Sequence, residues 1–167
     1  MTSCCAARAR IAGTSVPDDR TGRTTIADLL RDARSKLERL EPEQGLAAQR
    51  DGALLIDTRS SDERRRDGVI PGSLHLPLSV LAWRVDPHTD PEYRSRHIVG
   101  LDQQLVLVCA HGYSSSLAAA MLQELGFSRA TDLVGGFAAW SDAGLPVHSA
   151  SPSDADAVPG MGDPEPS

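Results

Sequence analysis

The residue with the clearest chemical potential in this sequence is a lone cysteine that follows an apolar run. Cys109 comes directly after residues 105–108 (Leu-Val-Leu-Val) and before a polar stretch, residues 110–116, that contains one glycine and three serines. A short continuous apolar run is typical of a strand buried in a parallel sheet, and ligands bind outside the carboxyl ends of such strands. The sequence therefore predicts that Cys109 lies where a ligand can reach it.

The residues that follow Cys109 predict a cradle for an anion. A turn from strand to helix over so few residues points backbone N–H groups inward, and the helix adds the positive end of its dipole. Gly112 permits a positive φ, while Ser114 and Ser115 are expected to cap the helix and to donate hydroxyl hydrogen bonds. A helix N-terminus lowers the thiol pKa below its usual ~8.5, so Cys109 is predicted to be a thiolate at neutral pH.

A lone cysteine is more often an inert residue of the core, and that interpretation has to be set against the catalytic one. A core cysteine has no need of the glycine and serines that follow Cys109 at once. The other two cysteines, Cys4 and Cys5, are adjacent and show neither a disulfide framework nor zinc-ligand spacing. Incidental thiols are the favoured interpretation of this pair, with a resolving role toward Cys109 left open.

The elements that would position Cys109 are short strands alternating with helical patterns. Strands are predicted at residues 53–56, 74–76, 105–108 and 131–134, where apolar residues cluster. Helices are predicted from Thr25 to Leu40, from Pro42 to the Asp51-Gly52 pair, and at residues 62–66, 78–84, 91–98, 114–125 and 137–143. This alternation predicts an α/β fold with a mostly parallel central sheet.

Length and composition restrict the possible classes of protein. With 167 residues, of which 40% are hydrophobic and 24% charged, the chain is expected to form one folded domain. Residues 24–148 are predicted to be that domain, between a flexible arm at 1–23 and a disordered acidic tail at 149–167. The net charge of −6 and the lack of a long apolar run argue against nucleic-acid and membrane partners and favour a cytoplasmic location.

Four sequence elements, taken together and in order, resemble those of the single-domain rhodanese family. The Cys-x-x-Gly-x-Ser-Ser stretch at residues 109–115 resembles the active-site loop of that family. Residues 57–59 (Asp-Thr-Arg) resemble its first Asp-x-Arg element, and residues 68–73 and 134–140 resemble its upstream and C-terminal signatures. The resemblance covers about residues 53–147, and the combination is far more specific than any single element.

The resemblance implies a three-layer rhodanese-like fold, with helices on both faces of the sheet, and a sulfurtransferase that works by double displacement. The Cys109 thiolate would take sulfane sulfur from a donor such as thiosulfate and pass it to a thiophilic acceptor. That acceptor would be cyanide in vitro and a thiol, such as thioredoxin, glutathione or another low-molecular-weight thiol, in the cell. No metal or organic cofactor is required. The implied substrate-binding loop consists of Ala110, His111, Gly112, Tyr113, Ser114 and Ser115, and the supporting residues are Asp57 and Arg59.

The sequence departs from the family pattern in two ways. The family usually has His where this chain has Val69, and the loop itself carries no Arg or Lys.

Three other functions are alternatives to sulfur transfer. A phosphatase or arsenate reductase would need a longer active-site loop closed by Arg, and the corresponding position here is Ser115. A serine hydrolase would carry a Gly-x-Ser-x-Gly motif, which Gly112 and Ser114 begin, but Ser116 stands where the last glycine is needed. After Ser114, only His148 could serve as the catalytic base. A non-catalytic binding or persulfide-sensing module remains the alternative from another class.

Overall fold

The structure of the protein, a computed structural model, describes residues 22–151. The predicted N-terminal arm up to residue 21, which includes Cys4 and Cys5, lies outside the described residues. The predicted acidic tail from residue 152 onward lies outside them as well.

A four-stranded, fully parallel sheet forms the centre of the described part of the chain. The strands are β1 (Leu54–Asp57), β2 (Leu74–His75), β3 (Leu105–Val108) and β4 (Ala130–Asp132), in the spatial order β2-β1-β3-β4. Because the strands are parallel and in close register, their carboxyl ends meet at one edge of the sheet. All four predicted strands are present, displaced by at most two residues at either end.

Helices cover both faces of this sheet, as the predicted α/β fold requires. Residues 22–151 contain six helices: α1 (Ile26–Ser35), α2 (Pro42–Arg50), α3 (Ser61–Asp67), α4 (Leu81–Val85), α5 (Ser114–Glu124) and α6 (Gly136–Asp142). Alternate side chains of β3 point to opposite faces: Leu105 and Leu107 pack with α5, whereas Val106 and Val108 pack with α6. Two hydrophobic cores therefore lie on either side of the sheet, which confirms the predicted three-layer arrangement.

The first helix begins where the sequence predicts it but ends about five residues earlier. Thr25 and Asp28 form a capping box, in which each side chain accepts a hydrogen bond from the backbone N–H of the other. The helix ends at Ser35 because Leu40 pairs instead with Leu133, the residue after β4. The N–H of Leu40 donates to Asp132 O at 3.0 Å. Tertiary pairing therefore overrides the helical period over residues 36–40.

The helix predicted at residues 91–98 is absent, and that prediction was wrong. Turns replace it, one of which is closed by the hydrogen bond from Tyr93 N–H to Asp90 O. Ser95 is fully buried and donates its N–H to Arg84 O, in the last turn of α4, at 2.8 Å. The segment is held by contacts with α4, so its backbone groups are satisfied without a helix of their own.

Candidate active site

Cys109 lies immediately beyond β3, at the edge where the parallel strands end. Asp57, at the end of β1, pairs in register with Val108 of β3. Asp132, at the end of β4, pairs in register with Leu107 of β3. The predicted position at the carboxyl end of a buried strand is therefore where the structure places the thiol. Polar groups from three neighbouring strands and loops converge on this edge.

The Cys109 sulfur is held by hydrogen-bond donors of the loop. The residue is 6% exposed; the Gly112 N–H donates to Sγ at 3.1 Å, and the Ser115 hydroxyl lies 3.2 Å from Sγ. Burial raises the pKa of the Cys109 thiol, but hydrogen bonds from the Ser114 and Ser115 hydroxyls and from the Ser115 and His111 N–H groups outweigh it. The net effect is a pKa below the usual thiol range, which favours a nucleophilic thiolate.

The first residues of α6 orient the peptides of the loop. Phe137 N–H donates to Cys109 O at 2.8 Å, and Ala138 N–H donates to Ala110 O at 3.0 Å. The described residues contain no cis peptide, so the N–H of each of these loop peptides points opposite to its carbonyl. With the carbonyls drawn toward α6, the N–H groups of Ala110 and His111 face the other way, into the loop.

Two glycines allow the loop and α6 to approach this closely. Gly112 has a φ of +74°, and a Cβ there would lie 2.7 Å from the backbone nitrogen of Gly135. Gly136 has a φ of +63°, and a Cβ there would overlap the carbonyl oxygen of Cys109. Neither position accommodates a side chain, since both combine left-handed backbone with a backbone neighbour that cannot move aside.

The serines after the loop do not cap α5, contrary to the sequence expectation. The N-cap is Tyr113, which makes no side-chain capping bond, and Ser114 begins the helix. Ser115 and Ser116 therefore lie inside the first turn, where their hydroxyls are buried and face the sheet. His111 and Tyr113 are exposed beside the loop, and Ala110 is partly exposed.

A buried carboxylate behind the loop was not predicted from the sequence. Asp132 at the end of β4 is fully buried and is reached by the hydroxyls of Ser115 at 3.0 Å and Ser116 at 2.8 Å. Arg39 donates to both of its oxygens, from Nε at 2.7 Å and from Nη2 at 3.0 Å. An aspartate within a predicted strand of the central sheet was the available signal, because a buried carboxylate requires partners.

Two arginines from the N-terminal part of the chain supply the positive charge that the loop lacks. Arg34 Nη2 and Arg39 Nη2 both donate to the carbonyl oxygen of Gly112, at 2.9 and 3.2 Å. Arg34 also lies over the ring of Tyr113, 5.5 Å from its centroid. Sequence reasoning missed both residues because they are more than 70 positions from the loop and contact it only in the folded chain.

Asp57 and Arg59 form a buried ion pair beside the loop. Arg59 binds both carboxylate oxygens of Asp57, at 3.0 and 2.7 Å, and donates to the carbonyl of Gly68 at 2.8 Å. Arg64 contacts the same carboxylate at 3.2 Å. The pair ties the end of β1 to α3 and to the turn that follows α3.

A cleft of about 370 Å³ opens on the outer side of the loop. Ala110 and His111 form one wall of it, and Arg59 and Phe137 contribute to the others. Another cleft of similar size lies at the opposite, amino ends of β1 and β3, near Ala53 and Gln104, away from Cys109. The cleft beside the loop is thus bordered by Ala110, the residue that follows Cys109, although Cys109 itself does not line it.

Comparison with known proteins assigns the family. Residues 41–143 match the model of the rhodanese-like domain. The chain belongs to the rhodanese-like family. Its curated relatives include thiosulfate sulfurtransferases named GlpE from Pseudomonas savastanoi pv. phaseolicola (36% identical over 106 residues) and from Stutzerimonas stutzeri (37% over 103 residues). These alignments cover 64% and 62% of this chain and 89% and 84% of the relatives.

Solved structures of other proteins share the fold of this chain. The rhodanese-like chain is similar to a Rhodopseudomonas palustris protein of unknown function, described as a possible tyrosine phosphatase, at a TM-score of 0.69 and 33% identity, over 80% of this chain and all of the other. It is also similar to the human single-domain sulfurtransferase TSTD1, at a TM-score of 0.53 and 26% identity, over 62% and 95% of the two chains. The predicted enzyme class, a rhodanese-type sulfurtransferase, is confirmed by the curated relatives.

Residues 22–151 lack both a membrane-spanning helix and a cluster of metal ligands. No helix among them is long and apolar enough to cross a bilayer. Nor do these residues bring three His, Cys, Asp or Glu side chains together in a way that could hold a metal ion.

Proposed function

We propose that this rhodanese-like chain transfers sulfane sulfur from thiosulfate to a thiophilic acceptor through a persulfide on Cys109. The observation that carries the proposal is the set of donors around Sγ: the Gly112 N–H, the Ser115 hydroxyl, and the further loop groups that lower the thiol pKa. Donors arranged in this way stabilise a sulfur anion, which is the reactive species in both halves of the reaction.

In the first half-reaction the Cys109 thiolate attacks the sulfane sulfur of thiosulfate. The sulfur–sulfur bond of thiosulfate breaks, and sulfite leaves with the bonding electron pair, so that Cys109 carries a persulfide anion. In the second half-reaction the acceptor attacks the terminal sulfur, and the bond to Cys109 breaks to restore the thiolate. Cyanide leaves as thiocyanate, and a thiolate acceptor leaves as its own persulfide; neither half requires an external oxidant or reductant.

The loop residues have distinct roles in this scheme. The N–H groups of His111 and Gly112, with the hydroxyls of Ser114 and Ser115, stabilise the charge on sulfur. The exposed His111 lines the cleft and, with Tyr113, contacts the incoming reactant.

The remaining predicted site residues hold the loop in place. Ala110 contributes its carbonyl, which anchors the loop on α6. Asp57 and Arg59 support the neighbouring wall and do not take part in the chemistry.

The acceptor is proposed to be a cellular thiol, either thioredoxin or a low-molecular-weight compound such as glutathione. The cleft beside Ala110 and His111 opens to the surface and gives such a thiol access to the loop. A cytoplasmic location fits this role, because thiols are kept reduced there.

The test of the proposal combines turnover with mass. Thiosulfate plus cyanide should yield thiocyanate, and Cys109→Ala should abolish the reaction while the far-UV circular dichroism stays unchanged. Incubation with thiosulfate should add about 32 Da, one sulfur atom, at Cys109. The matched control replaces Cys4 and Cys5 by alanine and should keep both the turnover and the added mass.

Two outcomes of this test would contradict the proposal. Undiminished turnover in Cys109→Ala, or an added sulfur located at Cys4 or Cys5, would move the chemistry away from the loop. A persulfide at Cys109 without any turnover would instead support the persulfide-sensing module.

Phosphatase activity is the second candidate, since one similar structure is described as a possible tyrosine phosphatase. A phosphatase loop needs an Arg that binds the phosphoryl oxygens bidentately, and here Ser115 occupies that position with its hydroxyl directed between Cys109 and Asp132. Hydrolysis of p-nitrophenyl phosphate that depends on Cys109 would overturn this ranking.

A further inference from the structure

The hydroxyl of Ser115 lies between two groups that can each accept its single proton. Its oxygen is 3.2 Å from Cys109 Sγ and 3.0 Å from Asp132 Oδ2. A hydroxyl carries only one hydrogen, so it donates to the sulfur or to the carboxylate, but not to both at once. The direction of this one bond is therefore coupled to the protonation state of Cys109.

Each state of the thiol requires its own arrangement of that hydroxyl. A neutral Cys109 can donate its S–H to Ser115 Oγ, which leaves the Ser115 O–H free to donate to Asp132. A thiolate has no hydrogen to donate, so the Ser115 O–H has to turn to the sulfur to stabilise its charge. Asp132 then loses one hydrogen-bond donor whenever Cys109 ionises, so other donors have to satisfy its buried carboxylate.

Arg39 and Ser116 are the groups that make this loss tolerable. Arg39 keeps two hydrogen bonds to Asp132, and the Ser116 hydroxyl keeps a third at 2.8 Å. The Ser116 hydroxyl also lies 3.1 Å from Gly112 O, but that carbonyl already accepts from Arg34 and Arg39. The Ser116 proton is thus available to Asp132.

The charges around the sulfur also indicate that Arg39 is needed for Cys109 to ionise. Asp132 is fully buried, and a lone carboxylate joined to a thiolate through one hydroxyl would oppose ionisation of the thiol. The Arg39 side chain is 17% exposed and binds both carboxylate oxygens, so it neutralises that charge at close range.

The other charged and titratable groups around the loop leave the balance of charge to this pair. Arg34 approaches from α1, and the exposed His111 belongs to the loop itself. Asp57, at the end of β1, is already bound by Arg59 and Arg64. Asp132 is therefore the carboxylate that is linked to the sulfur through a hydroxyl, and Arg39 is its ionic partner.

We propose that Arg39 and Asp132 are positioning residues, which act through Ser115 to direct its hydroxyl onto the Cys109 sulfur and to set the acidity of the thiol. The proposal rests on the sulfur transfer at Cys109 and adds the residues that tune it. The match to the family model begins at residue 41, so Arg39 lies outside the matched region, whereas Asp132 lies within it.

The experiment compares two arginines that share the carbonyl oxygen of Gly112 as an acceptor; Arg34 also donates to Ser116 Oγ at 3.3 Å and lies over the Tyr113 ring. Arg34 and Arg39 each donate to Gly112 O, but only Arg39 also binds Asp132. The rate of Cys109 alkylation by iodoacetamide is measured against pH, with the modified peptide identified by mass so that Cys4 and Cys5 do not contribute. Arg39→Gln should raise the pH midpoint by about one pH unit, since it leaves a buried negative charge unopposed.

Rescue separates this electrostatic role from a merely structural one. Asp132→Asn in the Arg39→Gln background removes the unopposed charge and should return the midpoint to that of the unmodified chain. Arg34→Gln, which leaves the Arg39–Asp132 pair in place, should shift the midpoint by less than Arg39→Gln does. Equal shifts for the two arginine variants, or failure of the rescue, would overturn the proposal.

A second variant keeps the test decisive if Arg39→Gln does not fold, as circular dichroism would show. Asp132→Asn alone leaves Arg39 as an uncompensated positive charge, so the alkylation midpoint should fall; an unchanged or higher midpoint would contradict the proposed role. Alkylation does not require sulfur transfer. A chain that alkylates as expected but makes no thiocyanate would therefore refute the proposed function without refuting the role of Arg39 and Asp132.

Discussion

The guanidinium of Arg59 lies 3.5 Å from the centroid of the Phe137 ring, so the segment after β1 packs directly on the first turn of α6. The same Phe137 donates its backbone N–H to the carbonyl oxygen of Cys109. The buried pair formed by Asp57 and Arg59 thus reaches the loop that follows Cys109 through a single residue. Stability of this corner and geometry of the loop are expected to depend on each other.

Replacement of Arg59 by Met should be strongly destabilising. It leaves the fully buried Asp57 with Arg64 as its remaining ionic partner in the described contacts, and removing one partner of a buried ion pair costs about 3–5 kcal/mol. Urea unfolding followed by circular dichroism measures the change in the free energy of unfolding. The matched control is Arg66→Met, whose pair with Asp67 is exposed, so that its loss should change the stability far less. Similar losses for the two variants would contradict the role given to Arg59.

Gly136→Ala should impair sulfur transfer by forcing the loop away from α6. The new Cβ overlaps the Cys109 carbonyl oxygen, so the loop has to shift, and the hydrogen bond from Phe137 N–H weakens. Gly144 also has a positive φ, of +68°, but a Cβ there meets nothing within 4 Å. Gly144→Ala should therefore pay only the backbone strain of about 1–2 kcal/mol and keep its thiocyanate production. Comparable loss of activity in both variants would show that strain alone is responsible.

Ser115→Ala should raise the pKa of Cys109, because it removes a hydroxyl that lowers it. A higher pKa means less thiolate at neutral pH, so the turnover of thiosulfate and cyanide should fall there and recover as the pH is raised. The pH midpoint of the rate should increase by about one pH unit. Ser35→Ala, which removes an exposed hydroxyl bonded to Asp32 O, should leave the profile unchanged. A variant of Ser115 that loses activity equally at every pH would contradict this explanation.

His75 should make the fold sensitive to acid. Burial lowers its pKa below 6.5, and the hydrogen bond to the carbonyl of Arg59, which favours the charged ring, offsets this only in part. Because the folded pKa is lower than the unfolded pKa, the unfolded chain binds the proton first. The contribution to stability is fully present above pH 6.5 and is lost as the pH falls below that value.

Urea unfolding at a series of pH values below neutrality checks the behaviour of His75. His75→Gln retains an N–H donor for the Arg59 carbonyl but does not titrate, so its unfolding free energy should depend less on pH in this range. An identical pH dependence in both chains would assign the acid sensitivity to other groups.

Much of the architecture followed from local patterns. The apolar run before Cys109 is long enough to mark a strand buried on both faces, and the alternation of Leu and Val in it fills two cores. Thr25 with Asp28, and Pro42 at the second helix, are start signals that act over three or four residues. Such features depend on neighbours in the chain and can be recognised without the fold. The helical spacing of apolar residues up to Leu40 predicted too long a first helix. Leu40 instead pairs with Leu133, 93 residues away, and such a distant partner cannot be recognised from neighbouring residues.

What the amino-acid order determined on its own is the position of the proposed nucleophile, the loop that follows it, and the layered fold that carries them, since each is encoded within a few consecutive residues. Only the tertiary structure decided which side chains stand behind that loop. Arg39 and Asp132 are separated by 93 positions, and Gly136 meets Cys109 from another helix. Neither contact leaves a periodic or local signature, because both arise from parallel strands that bring distant carboxyl ends to one edge of the sheet.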